Sequence, residues 1–367
     1  MKANFLKKIF HVPNYLSLQV AGVEICNRSI KYIEFLNKNG VFSVKNFGEI
    51  SIAENIVKDG NILNKDALAK SLIEVKKNIS SDFVKISIPE EKTYIFDAQI
   101  PEEAKDNIRE ALEFKIEENV PLKLAESSFE YEVVGKNKKT PENMMTVNVS
   151  VIPKVIISDY IEVFDKAGIC LLSFELGSKM IATSIIPKES SGKFIIMSIK
   201  SDSTVFVAVI DGIARFASSV AIGENLIKEK LFKTGLFKDK INDNNFFEKN
   251  FSFETACTKE SCLSLINIFS ILKDEVEKFN EYIIKKFFDD DFSIKKIDKI
   301  ILCGRSSILP GLSKHINQNI KTEVVLANVW ANAFDIKEYV PKLKFNDSLD
   351  FVTPIGLAIS SYKEINA

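Results

Sequence analysis

Histidine is almost missing from this chain: there are 2 in 367 residues, His11 and His315, far apart and beside no nucleophile motif. Imidazole is the side chain best suited to proton transfer and metal ligation near neutral pH, so a histidine-based catalytic site has no support here. Cysteine is scarce as well, with 5 residues scattered without paired metal spacing. Cys257 and Cys262 stand closest together, with no histidine near them. Such usage fits a reduced setting in which Cys170 and Cys303 act as small buried apolar residues. Excess charge is absent too: Lys and Arg number 49, Asp and Glu 50, and the net charge is −1. That balance excludes nucleic-acid binding through broad electrostatics, and the pairs Lys7-Lys8, Lys76-Lys77 and Lys285-Lys286 form no stripe. The acidic run Asp289-Asp290-Asp291 reads as a solvated loop, not a metal site. No apolar run approaches membrane-spanning length and no cleavable signal is present, so a cytosolic protein is expected. The first 15 residues set Phe5, Leu6, Ile9 and Phe10 on one helical face among lysines. A basic amphipathic turn of that kind can touch a membrane, but Pro13 stops it early and a frayed terminus is the expectation.

What the chain does contain is a repeated pattern. Residues 20–25 and 30–35 are apolar alternating runs around the polar turn Cys26-Asn27-Arg28-Ser29, which predicts strand, tight turn and strand. Asn27 suits the turn, and such a turn presents backbone N–H groups where an anion could sit. Residues 195–216 repeat the arrangement, with a turn at 200–203 and a hairpin signal at Asp211-Gly212. A third element, 297–313, reads as a strand, a turn at Gly304 and a helix start; a fourth, 353–358, begins a terminal helix. At 367 residues the chain exceeds one ordinary core, so two or more domains are expected.

Between these landmarks the pattern is mixed α/β. Leu68, Leu72, Val75 and Ile79 make a helical stripe that starts at an Asn64 cap. Residues 84–88 read as a buried strand, and 94–100 alternate again. Residues 102–120 predict one charged helix with Ile108, Leu112, Ile116 and Val120 along a face, and Phe114 is expected in the core. Strands at 129–134 and 145–153, joined through the polar loop 136–142, and a helix at 155–167 stopped by Gly168 complete an inserted unit. After the polar linker 187–192 come strands, a helix from about 223 to 232, and a non-periodic stretch at 237–253 that suggests a surface excursion. The longest helix, 261–288, carries Leu265, Phe269, Leu272, Val276, Phe279 and Ile283 as a core stripe.

In order and separation, the four landmark elements resemble the actin-like ATPase superfamily, over about 18–359. Within it the string Ile100-Pro101-Glu102-Glu103 through Phe114-Lys115-Ile116-Glu117-Glu118-Asn119-Val120-Pro121 is similar to the PilM family of type IV pilus assembly proteins. The resemblance implies a two-domain actin-like (ribonuclease H-like) α/β fold with an inserted subdomain of the kind called 1C. It divides the chain into an extension at 1–17, a first domain at 18–100 with 168–190 and 340–367, the insert at 101–167, and a second domain at 191–339.

The superfamily holds ATP phosphates and Mg²⁺ between two turns, each with an Asp and a Gly. A first turn of the form Gly-Ile-Asp-Ile-Gly-Ser-Ser-Ser-Val-Lys falls here on 22–31, so the acid becomes Glu24 and the phosphate glycine Cys26. A second turn of the form Asp-Ile-Gly-Ala-Ser-Thr-Thr falls on 198–204, so the acid becomes Ser198 and the glycine Lys200. Asp202 could supply that acid only after a register shift, which the match at Asp211-Gly212 disfavours. In the adenosine-side turn a Gly-Gly pair becomes Gly304-Arg305. The positions matching the nucleotide motifs are therefore Glu24, Cys26, Asn27, Arg28, Lys31, Ser198, Lys200, Ser203, Gly223, Gly304 and Arg305. Two readings follow: Arg28, Lys31, Lys200 and Arg305 replace Mg²⁺ as phosphate partners, or ATP binding is weak or lost and the fold persists as a scaffold. The second is favoured, because an added Cβ blocks the close backbone approach and a lost carboxylate removes a hard ligand.

The resemblance implies a cytoplasmic component of a type IV pilus, or related type II secretion, assembly platform at the inner membrane. Its partners would be the cytoplasmic N-terminal peptide of a PilN-like membrane protein and other platform and motor components, with membrane association through them and no nucleic acid. The peptide is expected between the first subdomain and the insert, held by backbone bonds and aliphatic contacts. The alternative is an active actin-like ATPase or nucleotide switch, possibly similar to FtsA in cell division; 360–367 is too short for the membrane helix that FtsA would carry.

Overall fold

In the computed structural model, the described residues are 19–38, 41–134, 140–187, 189–233, 263–288, 297–309, 311–317, 320 and 322–364. The expectations for 1–15, His11, 136–139, 237–253, Cys257, Cys262 and 289–291 lie outside them.

The first polar turn joins β1 (Val20–Ile25) to β2 (Ser29–Lys38), and β3 (Val41–Ser51) follows. Every residue of β1 is buried, as a strand in the middle of a covered sheet requires. A two-residue pair, β4 (Val57–Lys58) and β5 (Asn61–Ile62), leads to helix α1 (Lys65–Asn78). Asn64 caps that helix, its side-chain oxygen accepting the Ala67 N–H at 3.0 Å, an orphan donor satisfied as the sequence signal predicts. Strand β6 (Phe83–Ile88) then runs parallel to β1.

Next come β7 (Tyr94–Pro101), α2 (Ile108–Asn119), β8 (Ser127–Val134), β9 (Met144–Pro153), α3 (Lys154–Ala167), β10 (Cys170–Leu176) and α4 (Gly177–Ile185). Gly168 stops α3 in the left-handed region, at φ 66°. The second half holds β11 (Lys193–Ile199), β12 (Thr204–Ile210), β13 (Ile213–Val220), α5 (Glu224–Lys233), α6 (Leu263–Phe287), β14 (Lys299–Cys303), α7 (Leu312–Asn317) and β15 (Glu323–Leu326). It closes with α8 (Phe345–Ser348) and α9 (Val352–Glu364).

Two mixed sheets result, ordered β10-β6-β1-β2-β3 and β13-β12-β11-β14-β15. The two polar-turn hairpins thus belong to separate sheets, and both turns reach one cleft. Helix α9 packs across β1 at one point and against α4 at another with no room for side chains. A Cβ on Gly22 would stand 2.1 Å from the Pro354 carbonyl oxygen, and one on Gly356 2.0 Å from that of Met180.

Five expectations are corrected, the first being Cys170, which is exposed where burial was expected. Residues 94–101, placed up to 100 in the first domain, pair with β9 in a separate three-stranded sheet, β7-β9-β8. The charged helix is broken: a short 3₁₀ turn at Glu102–Asp106 ends at Asn107, whose ψ of 42° leaves the helical region before α2 starts. Phe114, expected in the core, is 75 % exposed, because the buried face of α2 is set by Leu112 and Ile116. Helix α3, read as part of the insert, sends Tyr160, Val163 and Phe164 into the core of the first sheet.

The three-stranded lobe is fastened to the second sheet by a buried ion pair. Asp97 of β7 accepts from Arg215 Nε of β13 at 2.8 and 3.0 Å, and Asn148 Nδ2 of β9 donates to the same carboxylate at 2.9 Å.

Candidate functional site

The cleft between the sheets has a volume of about 370 Å³. Its walls are the first turn, the second turn, Asp59-Gly60, the loop after β6 and the end of β13. Each turn is closed by its own backbone: Cys26 N–H donates to Ser29 O at 2.8 Å, and Lys200 N–H to Ser203 O at 2.9 Å.

Lys200 crosses the gap. Its ammonium lies 2.9 Å from Glu24 Oε1 and 3.7 Å from Glu90 Oε2. Burial opposes its charge, yet the carboxylates of Glu24 and Glu90 hold its pKa well above the ordinary lysine value. Burial pushes Glu90 the other way, raising its pKa despite Lys200. Glu90 lies against Gly177, where a Cβ would stand 2.5 Å from Oε1.

A second bridge runs beside it. Asn27 Nδ2 donates to Asp202 Oδ2 at 3.0 Å, while its own oxygen accepts the Asp59 N–H at 2.8 Å. Asn225 Nδ2 holds the other Asp202 oxygen at 2.8 Å. Gly223 lets the chain pass this turn, since a Cβ would stand 2.6 Å from Asp202 backbone atoms. Helix α5 starts there, and two of its first N–H groups are already used: Glu224 donates to Lys200 O and Asn225 to Ser201 O, both at 2.9 Å. Those two donors are thereby withdrawn from anion binding at that helix end.

The remaining motif positions go elsewhere. Lys31, opposite Glu24 in the β1–β2 ladder, pairs with buried Asp350 at 2.6 Å. Burial would lower its pKa, but Asp350 raises it. Arg305 reaches the same carboxylate at 3.3 Å and Glu49 at 3.7 Å. Lys31 and Arg305 together lower the pKa of Asp350 against the effect of burial. Gly304 takes φ 87°, and a Cβ there would stand 2.0 Å from Ile199 O. Arg28 turns outward to Glu54 at 2.9 Å, an exposed pair. Ser198 is buried inside β11 opposite Cys303, and Ser203 lines the cleft. Burial, with help from Glu24, pushes the Cys26 thiol up to about 12.

The structure thus gathers Glu24, Cys26, Asn27, Lys200 and Ser203 at the cleft, brings Lys31 and Arg305 together beside it, and sends Arg28 away. Sequence reasoning missed Glu90 and Asp350 and set Asp202 aside. Glu90 opens a short 3₁₀ turn between β6 and β7, and Asp350 lies in another between α8 and α9, with no local signal to mark either; Asp202 sat inside a turn already singled out. Among the described residues no group of three or more histidine, cysteine or carboxylate side chains is arranged to hold a metal ion.

Two sheets of this order around a cleft floored by paired hairpin turns define the actin-like ATPase fold. MreB5 of Spiroplasma citri bound to ADP shares it at a TM-score of 0.52 and 12 % identity, over 95 % of this chain and 97 % of that one. The structure of a PilM-PilN type IV pilus biogenesis complex matches at a TM-score of 0.72 and 15 % identity, covering 94 % of this chain and 99 % of that chain. The profile of the type IV pilus assembly protein PilM matches residues 22–362. The chain belongs to that family. No helix among the described residues is long and apolar enough to cross a membrane.

Proposed function

We propose that this protein is a cytoplasmic scaffold of the type IV pilus assembly platform at the inner face of the membrane. It clasps the cytoplasmic N-terminal segment of a PilN-like membrane protein and works without nucleotide turnover. The observation that carries the second part is Lys200, whose ammonium stands 2.9 Å from Glu24 in the gap between the two turns. In effect the chain supplies its own cation where the fold class places phosphate and metal. Mg-ATP does not fit these residues. Cys26 stands where the backbone must approach phosphate, Ser198 offers no carboxylate, and Glu24, Asp59, Glu90, Glu91 and Asp202 line the cleft against one lysine. A polyphosphate would meet net negative charge and would have to break the Lys200 pairs.

The partner reading rests on family membership and on the complex named above, in which PilM is paired with PilN. The docking place is the three-stranded lobe with α2, a body with its own core of Phe96, Leu112, Ile116, Phe129, Val147 and Val149. We take its limits as the ends of β7 and β9, because α3 packs in the main core.

Two measurements test the proposal. The cytoplasmic N-terminal segment of a PilN-like membrane protein from the same organism is titrated into the full chain, and micromolar binding is expected. Absence of binding overturns the scaffold reading. Calorimetry with Mg-ATP is expected to give no saturable heat at micromolar concentrations; tight binding establishes the alternative, a nucleotide switch.

A further inference from the structure

Strand β8 is an edge without the usual protection. Among the described residues it pairs with β9 on one side only; it runs eight residues in unbroken register and carries no lysine, proline or bulge to block another strand. Its side chains sort by face. Tyr131 and Val133 lie opposite Val149 and Val147. Those two valines are fully buried in the lobe core, yet Tyr131 is 39 % and Val133 51 % exposed. Helix α2 covers the middle of that face and stops short of its rim. On the other face Glu130 and Glu132, opposite Ser150 and Asn148, are both exposed. Lys179 of α4 sits in the field of Glu130, Glu132 and Glu175, and Arg215, the cation nearest Asn148, is engaged by Asp97, so the strand's own charge on that face is acidic.

We propose that β8 accepts an added strand whose side chains alternate basic and apolar, the basic ones against Glu130 and Glu132 and the apolar ones against Tyr131 and Val133. Directly opposite residues on neighbouring strands sit close enough for charge to select the partner, and backbone bonds along the free edge supply the attachment. A second copy of β8 is a poor occupant, because pairing would set glutamate against glutamate. The inference deepens the scaffold reading and rests on it for the source of the strand. Cytoplasmic flanks of membrane spans are enriched in Lys and Arg, so a membrane protein's cytoplasmic segment carries the matching charge.

The test uses the full chain and two labelled synthetic peptides of about ten residues, one alternating lysine and valine, the other glutamate and valine, read by fluorescence anisotropy. The lysine peptide is expected to bind about tenfold more tightly than the glutamate peptide. The preference should shrink at high salt, as screening of exposed pairs requires. Glu130→Lys with Glu132→Lys is expected to reverse the order, and Glu130→Gln with Glu132→Gln, a milder change, to erase it. Equal binding of the two peptides, or an order unchanged in the glutamine variant, overturns the proposal. The glutamine variant is then titrated with the cytoplasmic segment of the PilN-like protein. Unchanged affinity there overturns the charge selection and leaves the scaffold reading standing. If the wild-type chain sorts the two synthetic peptides as expected but ignores that segment, the edge proposal holds and the scaffold reading falls.

Discussion

Lys200 and Glu24 meet at 2.9 Å, one on the turn of the second sheet and the other inside a strand of the first. The contact is a crossbrace: it ties together two bodies that sequence separates by 176 positions. Removing the lysine strands Glu24 and Glu90 in partial burial with like charge.

Lys200→Met is therefore expected to destabilise the chain by about 2–3 kcal/mol, below the range for a fully buried pair because the lysine side chain keeps 20 % exposure. Combining it with Glu24→Gln should recover part of the loss. Urea unfolding of the four-member cycle gives the coupling; additive effects would show that the brace carries no energy.

Asp97 and Arg215 fasten the lobe from within, with side-chain exposures of 9 % and 5 %. Asp97→Asn leaves the guanidinium buried without its counter-charge and is expected to cost about 3 kcal/mol. Proteolysis should then cut the lobe before the rest of the chain. Wild-type protection in the variant contradicts this.

Gly304→Ala is expected to prevent folding or cost more than about 3 kcal/mol, since φ 87° disfavours any side chain and the new methyl would stand 2.0 Å from Ile199 O. Thermal unfolding measures it, and a Tm within a degree or two of wild type refutes the close packing.

Alkaline pH should weaken the fold. Burial raises the Cys26 and Cys303 thiols to about 12, whereas an unfolded thiol ionises near about 8.5. The folded chain keeps protons that the unfolded chain releases, so this contribution is full below about pH 8.5 and is lost as pH rises toward about 12. Lys31 and Lys200 add in the same direction above about pH 10.4, because each is held above its ordinary value in the folded state. Tm should fall steadily above about pH 9. Of the cysteines Cys26, Cys170 and Cys303, exposed Cys170 should label first at pH 8; a flat Tm profile, or early labelling of Cys303, contradicts the burial argument.

Much of the frame is legible locally. The Asn64 cap, the Gly168 stop and the two hairpin turns are short-range signals, and each sits where the residues place it. What could not be read is pairing at distance. The alternation of Tyr94–Pro101 says strand without saying which sheet, and only the register with β9 decides it. The basic residues at the nucleotide motifs were visible; their partners Glu90 and Asp350 were not, because neither belongs to a motif. Phe114 shows the limit of apolar identity as a guide, for a large side chain on a short amphipathic helix can face solvent.

The contact between α9 and β1 has a temporal consequence. Helix α9 is the last described element to be synthesised, yet it seals the strand that opens the first sheet, with backbone against backbone at Gly22 and Pro354. During translation the first sheet must wait, one face uncovered, until residues near 356 have left the ribosome. Sheet and helix then close in one late step, so nascent chains stalled before that point should depend on chaperone binding to stay soluble.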